Sequence, residues 1–389
     1  MSHPVISLFS GAGGLDLAVH RCAEPPLVQD GTPSPLTVAI ATDYCDVALE
    51  AFCANFADTP TLVGNIREMP SDDLLSAGGL APGDATLVVG GPPCTPFSKS
   101  GFWIEEKRNS ADPDASLLDE YVRVVHDTRP AAFVLENVQG LTYRTHQRQF
   151  GRLITQLTDL GYNPQWKVLL AADYGVPQLR KRVFVVGRRD GVAFRFPAPT
   201  HGGLSERQDY SHPDRLPYVT ASQAFNGLPD IPEPGELAEG EFAELLASVP
   251  PGQNYLWHTD RFGGQNVFKW RTRYWTFLLR LAPNRPSSTI QAQPGPWVGP
   301  FHWENLENPN SQERARRLRV PELLRLMTFP DGFAVSADRT SAQRQIGNAV
   351  PLELGKAVIR ALMEQMGLLE PVRLAARACE RETVGLLAG

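Results

Sequence analysis

The chain has 389 residues, of which 42% are hydrophobic and 21% charged, so it is too long for one minimal domain and has ample material for a packed core. A formal charge of −6 excludes global basicity as a pointer to nucleic acid, although local charge alone decides such binding. The 33 glycines and 34 prolines imply many turns and loops.

In chain order, the first 190 residues alternate strand-like and helical patterns. Residues 5–9, 36–42, 85–89, 132–135, 166–171 and 182–186 read as buried strands bounded by Gly, Pro or Asp. Residues 15–23, 47–56, 117–127 and 149–160 carry apolar side chains at helical spacing. This alternation predicts a doubly wound α/β sheet, whose ligands sit at the carboxyl ends of the strands. From residue 197 to about 284 the chain is loop-rich, with an acidic stretch at 230–244 and a basic aromatic one at 257–285. Helical patterning returns at 311–327 and 352–366, and residues 368–389 read as a helix or a frayed tail.

Five scattered cysteines (Cys22, Cys45, Cys53, Cys94 and Cys379) form neither a disulfide ladder nor a CxxC metal knuckle. Met1-Ser2-His3-Pro4 leads directly into a strand without a secretory pattern, and no apolar run approaches the ~20 residues that span a bilayer. The expectation is a cytoplasmic protein without a membrane segment or a metal cluster.

The strand ends carry the chemistry. The first leads into Phe9-Ser10-Gly11-Ala12-Gly13-Gly14, where glycines let backbone amides approach a ligand; a cofactor loop and a plain tight turn both fit. The dinucleotide pattern G-x-G-x-x-G is not met, because Asp16 occupies the sixth position. Asp43 ends the second strand as either a ribose acceptor or a helix N-cap, and Asn65-Ile66 suits an adenine edge or a simple turn. Gly90-Gly91-Pro92-Pro93-Cys94 follows another strand and holds a thiol on a stiffened loop, which suits a nucleophile once its pKa of about 8.5 is lowered. Glu136, emerging from an apolar strand, is expected to be desolvated and able to donate a proton. Arg180 and Arg182 alternate onto one face, as a clamp for phosphate or oxygen or as a solvated strand end.

In this order Phe9-Ser10-Gly11-x-Gly13-Gly14, Pro92-Pro93-Cys94, Glu136-Asn137-Val138 and Gln178-x-Arg180-x-Arg182 resemble the DNA (cytosine-5) methyltransferase family. Two later blocks are similar as well: Arg317-Leu318 with Pro321-Glu322-Leu323-Leu324-Arg325-Leu326-Met327-x-Phe329-Pro330, and Gln345-Ile346-Gly347-Asn348-Ala349-Val350-Pro351. The resemblance implies a Rossmann-like sheet at 1–196, an inserted target-recognition domain and hinge at 197–335, and a return to the catalytic domain at 336–389. It implies attack by Cys94 on carbon 6 of a flipped cytosine, with Glu136 at N3 and Arg180 and Arg182 holding the base carbonyl and nearby backbone. S-adenosylmethionine, leaving as S-adenosylhomocysteine, would be held by Phe9, Ser10, Gly11, Gly13, Gly14, Asp43, Tyr44, Asn65, Ile66, Pro92, Leu117, Asn348 and Ala349. The partner it implies is double-stranded DNA, contacted by Ser98, Lys99 and Arg108 on a mobile loop and by Arg261, Lys269, Arg271 and Arg273 in the insertion. A monomer and a restriction endonuclease partner complete that expectation.

The family's usual Glu is Asp43 here, its frequent Asp residues are Cys45 and Asn65, and its Asp-Arg-Gly at the loop's far end is replaced in Asp112-Pro113-Asp114-Ala115. Three rival readings are a transfer-RNA methyltransferase, a catalytically silent DNA-binding protein and a nicotinamide oxidoreductase. The long variable segment disfavours the first, the intact Cys94, Glu136, Arg180 and Arg182 the second, and the Cys94 and Asn348 blocks the third. Trp270, Tyr274 and Trp275 are expected in a small core. Acidic residues 230–244 set against Arg261, Lys269, Arg271, Arg273, Arg280 and Arg285, and again Arg314, Arg316, Arg317 and Arg319, predict a bipolar charge distribution.

Overall fold

A computed structural model describes residues 2–28, 30–93, 117–203, 215–262, 264–268, 274–307 and 313–371. Its centre is a seven-stranded sheet in the order β3-β2-β1-β4-β5-β8-β6. The strands are β1 (His3–Leu8), β2 (Leu36–Asp43), β3 (Thr61–Val63), β4 (Leu87–Gly90), β5 (Ala132–Val138), β6 (Gln165–Leu170) and β8 (Lys181–Arg188); β7 (Gln178–Leu179) lies outside it. β3, β2, β1, β4 and β5 are mutually parallel, whereas β8 runs antiparallel to both its neighbours. The chain order reverses between β1 and β4, so the loops after these strands flank the crevice where α/β sheets hold ligands.

Alternating strand residues feed two cores. Val5, Leu87, Val89, Ala132, Val134, Phe184 and Val186 join one, which also takes residues of α1 (Gly14–His20) and of the helix Leu352–Gln365. Ile6, Val88, Phe133, Leu135, Val183 and Val185 point the other way, to α3 (Ser71–Ala77), α4 (Leu117–Thr128) and α5 (Gln147–Asp159). α2 (Asp46–Asn55) adds Leu49 and Phe52 to the first core. By this alternation Glu136 and Arg182 belong to the first face.

The later chain adds α6 (Ala221–Phe225), α7 (Ala243–Ser248), β9 (Ser287–Ser288), β10 (Phe301–Glu307), β11 (Glu313–Arg317), α8 (Val320–Leu326), α9 (Arg339–Asn348) and α10 (Leu352–Gln365). A separate small core gathers Ala238, Leu246, Val249, Tyr255, Phe277, Leu278, Phe301 and Ala315. Leu318, Leu323, Leu326, Met327, Phe329 and Phe333 instead pack into the first core of the sheet. The expected helix over 311–327 is in fact β11 followed by α8: Arg314–Arg317 pairs across to Phe301–Leu306, and Arg319, extended at φ −73° and ψ 159°, separates the two elements. The expected charge separation is reduced at one end of the acidic stretch. Asp230, Glu233 and Glu236 are partly neutralised by Arg319 and Arg339, with Glu236 2.6 Å from Arg319 and Glu233 2.9 Å from Arg339, whereas Glu239, Glu241 and Glu244 are exposed. Arg316 pairs with Glu322 at 2.7 Å, and buried Arg280 donates to the carbonyls of Ala247, Val249 and His302. Glu233 and Glu236 thus meet their counter-ions about 80–110 residues away in sequence.

Candidate active site

The glycine-rich loop is anchored from below. Phe9, just past β1, stands at φ +55°, a conformation most side chains avoid, and Gly11 follows at φ +57° with open space where a Cβ would project. Asp43 clasps the loop to β2, one carboxylate oxygen accepting from Gly11 N and the other from Cys45 N, both at 2.9 Å. Its pKa is raised by burial, against which those amides act. Ser10 is also engaged internally, with its hydroxyl 2.9 Å from that of Ser7 and within reach of the Thr42 carbonyl. Asp16, in the first turn of α1, is fully buried; neither oxygen meets a well-formed hydrogen bond among the described residues. Burial pushes its pKa up to about 7, partly offset by Ser7 and its own backbone amide.

The remaining expected cofactor residues divide by exposure. Tyr44 is open to solvent and Asn65 is exposed, its side chain donating to Glu68 and accepting from Arg67 N in a tight turn. Ile66 and Leu117 face the second core, and Phe9 packs against it. The closing block returns to the loop: a Cβ on Gly14 would meet Ala349 Cβ at 3.0 Å and Val350 O at 3.2 Å. Asn348, exposed at the end of α9, is therefore brought beside the glycine-rich loop across more than 330 residues of sequence.

At the carboxyl edge, β5 delivers Glu136 and β8 delivers Arg182, whose Nε lies 2.8 Å from Glu136 Oε1. Both side chains are nearly buried. Burial raises the Glu136 pKa, and the guanidiniums of Arg182 and Arg180 pull against that rise. Asn137 donates to the Pro92 carbonyl at 3.0 Å, and Gly91 lies so close that an added Cβ would stand 3.2 Å from Glu136 Oε2. The Gly91-Pro92-Pro93 turn is thus fastened against the buried carboxylate. Cys94, the next residue, lies outside the described residues.

Arg180 occupies a different setting from Arg182. It is 0% exposed and donates to the carbonyls of Ile290, Gly347 and Ala349 at 3.2, 2.7 and 3.0 Å. These bonds tie the start of β8 to the insertion and to the closing block, so the solvated strand end considered from sequence is not what forms. Gln178, likewise buried, donates to Leu326 O at 3.1 Å and accepts from Ile290 N at 3.2 Å.

A family model for C-5 cytosine-specific DNA methylases matches residues 4–364. The chain belongs to that family. The methylase is 68% identical over 372 residues to the type II methyltransferase M.SacI of Streptomyces achromogenes, covering 95% of each chain. It is 31% identical to M.NgoFVII of Neisseria gonorrhoeae, across 91% of this chain and 86% of that one. Among solved structures, an E. coli prophage-encoded protein described as a DNA modification methyltransferase superposes with a TM-score of 0.67 at 20% identity, over 94% of this chain and all of that one. S. pombe Dnmt2 gives 0.61 at 16% identity, over 94% and 99%. At such identities these structures carry the fold, which is the Rossmann-like sheet expected from sequence. The enzyme is a cytosine-5 methyltransferase acting on DNA, and its family uses S-adenosylmethionine as a rule.

Of the expected DNA-contacting residues, Arg261 is exposed on the insertion, whereas Ser98, Lys99, Arg108, Lys269, Arg271 and Arg273 lie outside the described residues. So do Trp270 and the departure at 112–115. Tyr274 and Trp275 are 52% and 63% exposed, against the expectation of a core position, and Phe242, Tyr255, Phe268, Phe277, Trp297 and Phe301 fill the small core instead. Sequence reading passed over Asn137 and Gln178 as working residues. Their signal was their place inside the two motif blocks, as polar side chains bound for the interior. Among the described residues no helix is long and apolar enough to cross a membrane.

Proposed function

We propose that the methylase acts through a covalent adduct between Cys94 and carbon 6 of a cytosine flipped out of duplex DNA. Carbon 5 is a poor nucleophile until a thiolate adds at carbon 6 and makes it enamine-like. Glu136 supplies or shares a proton at N3 as negative charge develops on the ring, and Arg182 orients that carboxylate and screens it. Burial favours the protonated form of Glu136, the form that can donate. After methylation a base removes the carbon-5 proton, and the Cys94 thiolate leaves. Arg180 acts as a positioning residue, through the closing block and the strand that carries Arg182.

The observation that carries this reading is the buried Glu136–Arg182 pair, with the turn leading to Cys94 held against it by Asn137. The methyl donor fits the residues beside it: an open glycine cradle at Gly11, an acidic Asp43, and Tyr44, Asn65 and Asn348 at its rim. S-adenosylmethionine, when bound, supplies the electrophilic methyl group and departs as S-adenosylhomocysteine. Phe9, Gly13, Gly14, Ile66, Pro92, Leu117 and Ala349 complete the proposed pocket, with Ser10 supporting its loop. We assign residues 1–196 and 336–389 to the catalytic domain and 197–335 to target recognition and hinge, with Arg261 and the basic run 269–273 reading DNA. A monomer in the cytoplasm, paired with a restriction endonuclease, is the setting this reading supplies.

Incubation with labelled S-adenosylmethionine and unmethylated genomic DNA, followed by base-resolution mapping, is expected to show 5-methylcytosine within one short sequence. Transfer to transfer RNA and none to DNA would overturn the substrate assignment.

A further inference from the structure

We propose that Arg144, Arg148 and Lys181 form a phosphate-binding strip that grips DNA from the side of the sheet opposite the recognition insertion; this rests on the duplex-DNA reading above. β5 ends at Val138, just beyond Glu136, and two short helical turns, Gln139–Thr142 and Arg144–His146, lead into α5, which runs back along the sheet. The first of these turns packs against β8, whose opening residue Lys181 pairs in register with Leu170 at the same edge. Arg144, Arg148 and Lys181 are exposed and enter no ion pair or side-chain hydrogen bond among the described residues. Arg152, one turn further along α5, is by contrast taken by Asp119 at 3.1 Å.

Two physical features point to an anionic partner. The first is charge placed against the helix field. α5 begins without a capping side chain or an acidic residue in its first turn, so its positive dipole end stands beside Arg144 and Arg148 with no carboxylate of its own to balance it. Cations there repel that end in the free protein, and an anion relieves both. The second feature is position. Phe150, Leu153 and Leu157 of α5 sit in the second core, and alternation from Val183 and Val185 sets Lys181 on that same face. The insertion meets the opposite face through Ile290 and Leu318. Glu136 stands at the same carboxyl edge, on the insertion's face, so a duplex laid over that edge meets cations on both flanks. DNA presents one charge per ~1.7 Å of its axis, which matches a strip of separated, unpaired cations rather than a single anion pocket.

The test is duplex affinity against salt for the full-length protein with Arg144→Gln, Arg148→Gln and Lys181→Gln combined. Removing one cation from a phosphate lowers the slope of log affinity against log salt by about 0.9, so the triple variant is expected to reduce that slope by between about one and three. Its sequence preference and S-adenosylmethionine affinity should remain those of the parent. Replacement of the same three positions to keep the charge (Arg144→Lys, Arg148→Lys, Lys181→Arg) should preserve the parental slope. A triple Gln variant that binds S-adenosylmethionine normally and keeps the parental salt slope overturns the strip but leaves the DNA reading standing. Failure of the parent itself to bind duplex DNA overturns both.

Discussion

Asp16→Asn is the sharpest probe of the buried carboxylate beneath the glycine-rich loop. The carboxylate's pKa rises from an ordinary 3.8 to about 7 because burial outweighs the help it receives from Ser7 and its own amide. A group whose folded pKa is raised holds its proton in the folded state while the unfolded chain has lost it, so stability falls as pH climbs from about 3.8 to about 7 and then levels off. At about 1.4 kcal/mol per tenfold change, the full span amounts to about 4 kcal/mol, and the part between pH 5 and pH 7 to about 3 kcal/mol. Asn has nearly the same shape and does not titrate. It brings a fixed cost for its own buried amide, on the order of 1–3 kcal/mol, which is the same at every pH in this range. The stability difference between variant and parent should therefore shift in the variant's favour by about 2–3 kcal/mol from pH 5 to pH 8. Urea unfolding of both proteins without cofactor at the two pH values measures this directly. A difference independent of pH between 5 and 8 would refute the reasoning, because Asp16 would then be ionised throughout or neutralised by a partner.

Arg182→Met removes the cation 2.8 Å from Glu136 and lets the Glu136 pKa rise further, so the alkaline limb of the pH–rate profile should move to higher pH while the rate falls at least about tenfold; an unmoved limb contradicts the pairing. In Gly347→Ala, the new methyl would stand 2.4 Å from Ala292 Cα, so the closing block must shift; calorimetry should register a loss of roughly 1–3 kcal/mol, with weakened S-adenosylmethionine binding because Asn348 moves with it. Arg316→Met removes the cation from the buried Glu322 carboxylate and leaves it the Arg319 amide, and denaturant unfolding should lose about 3 kcal/mol at neutral pH.

The sheet was legible because its strands are short apolar runs ended by Gly, Pro or Asp, and strand alternation did the rest. Residues 132–135 foretold β5, and Glu136 proved buried because it continues the inward-facing series Ala132, Val134. The site was legible where motif residues stand at strand ends, as with Asp43 and Arg182. It was less so where long-range packing decides. Arg180 looked like a partner of Arg182 by alternation alone, yet the carbonyls of Ile290, Gly347 and Ala349, all more than 100 residues away, surround its guanidinium. Local periodicity misread 311–327 as one helix, because Ala315 and Leu318 fit a helical face as well as a strand against Phe301–Leu306. Charge runs were only partly informative for a related reason: Asp230 and Glu236 found their counter-ion in Arg319, which no local window contains. Tyr274 and Trp275 are exposed, and the small core is filled by six other aromatic rings: Phe242, Tyr255, Phe268, Phe277, Trp297 and Phe301.

The covalent role of Cys94 is tested most directly with duplex DNA carrying 5-fluorocytosine at the target position. Fluorine cannot leave as a proton does, so the elimination that frees the thiol is blocked and the adduct is trapped. In the presence of S-adenosylmethionine the parent protein is expected to form a denaturation-stable complex with that DNA, and Cys94→Ser to form none although it still binds the duplex. Persistence of the complex in Cys94→Ser would contradict the assignment of Cys94 as the nucleophile.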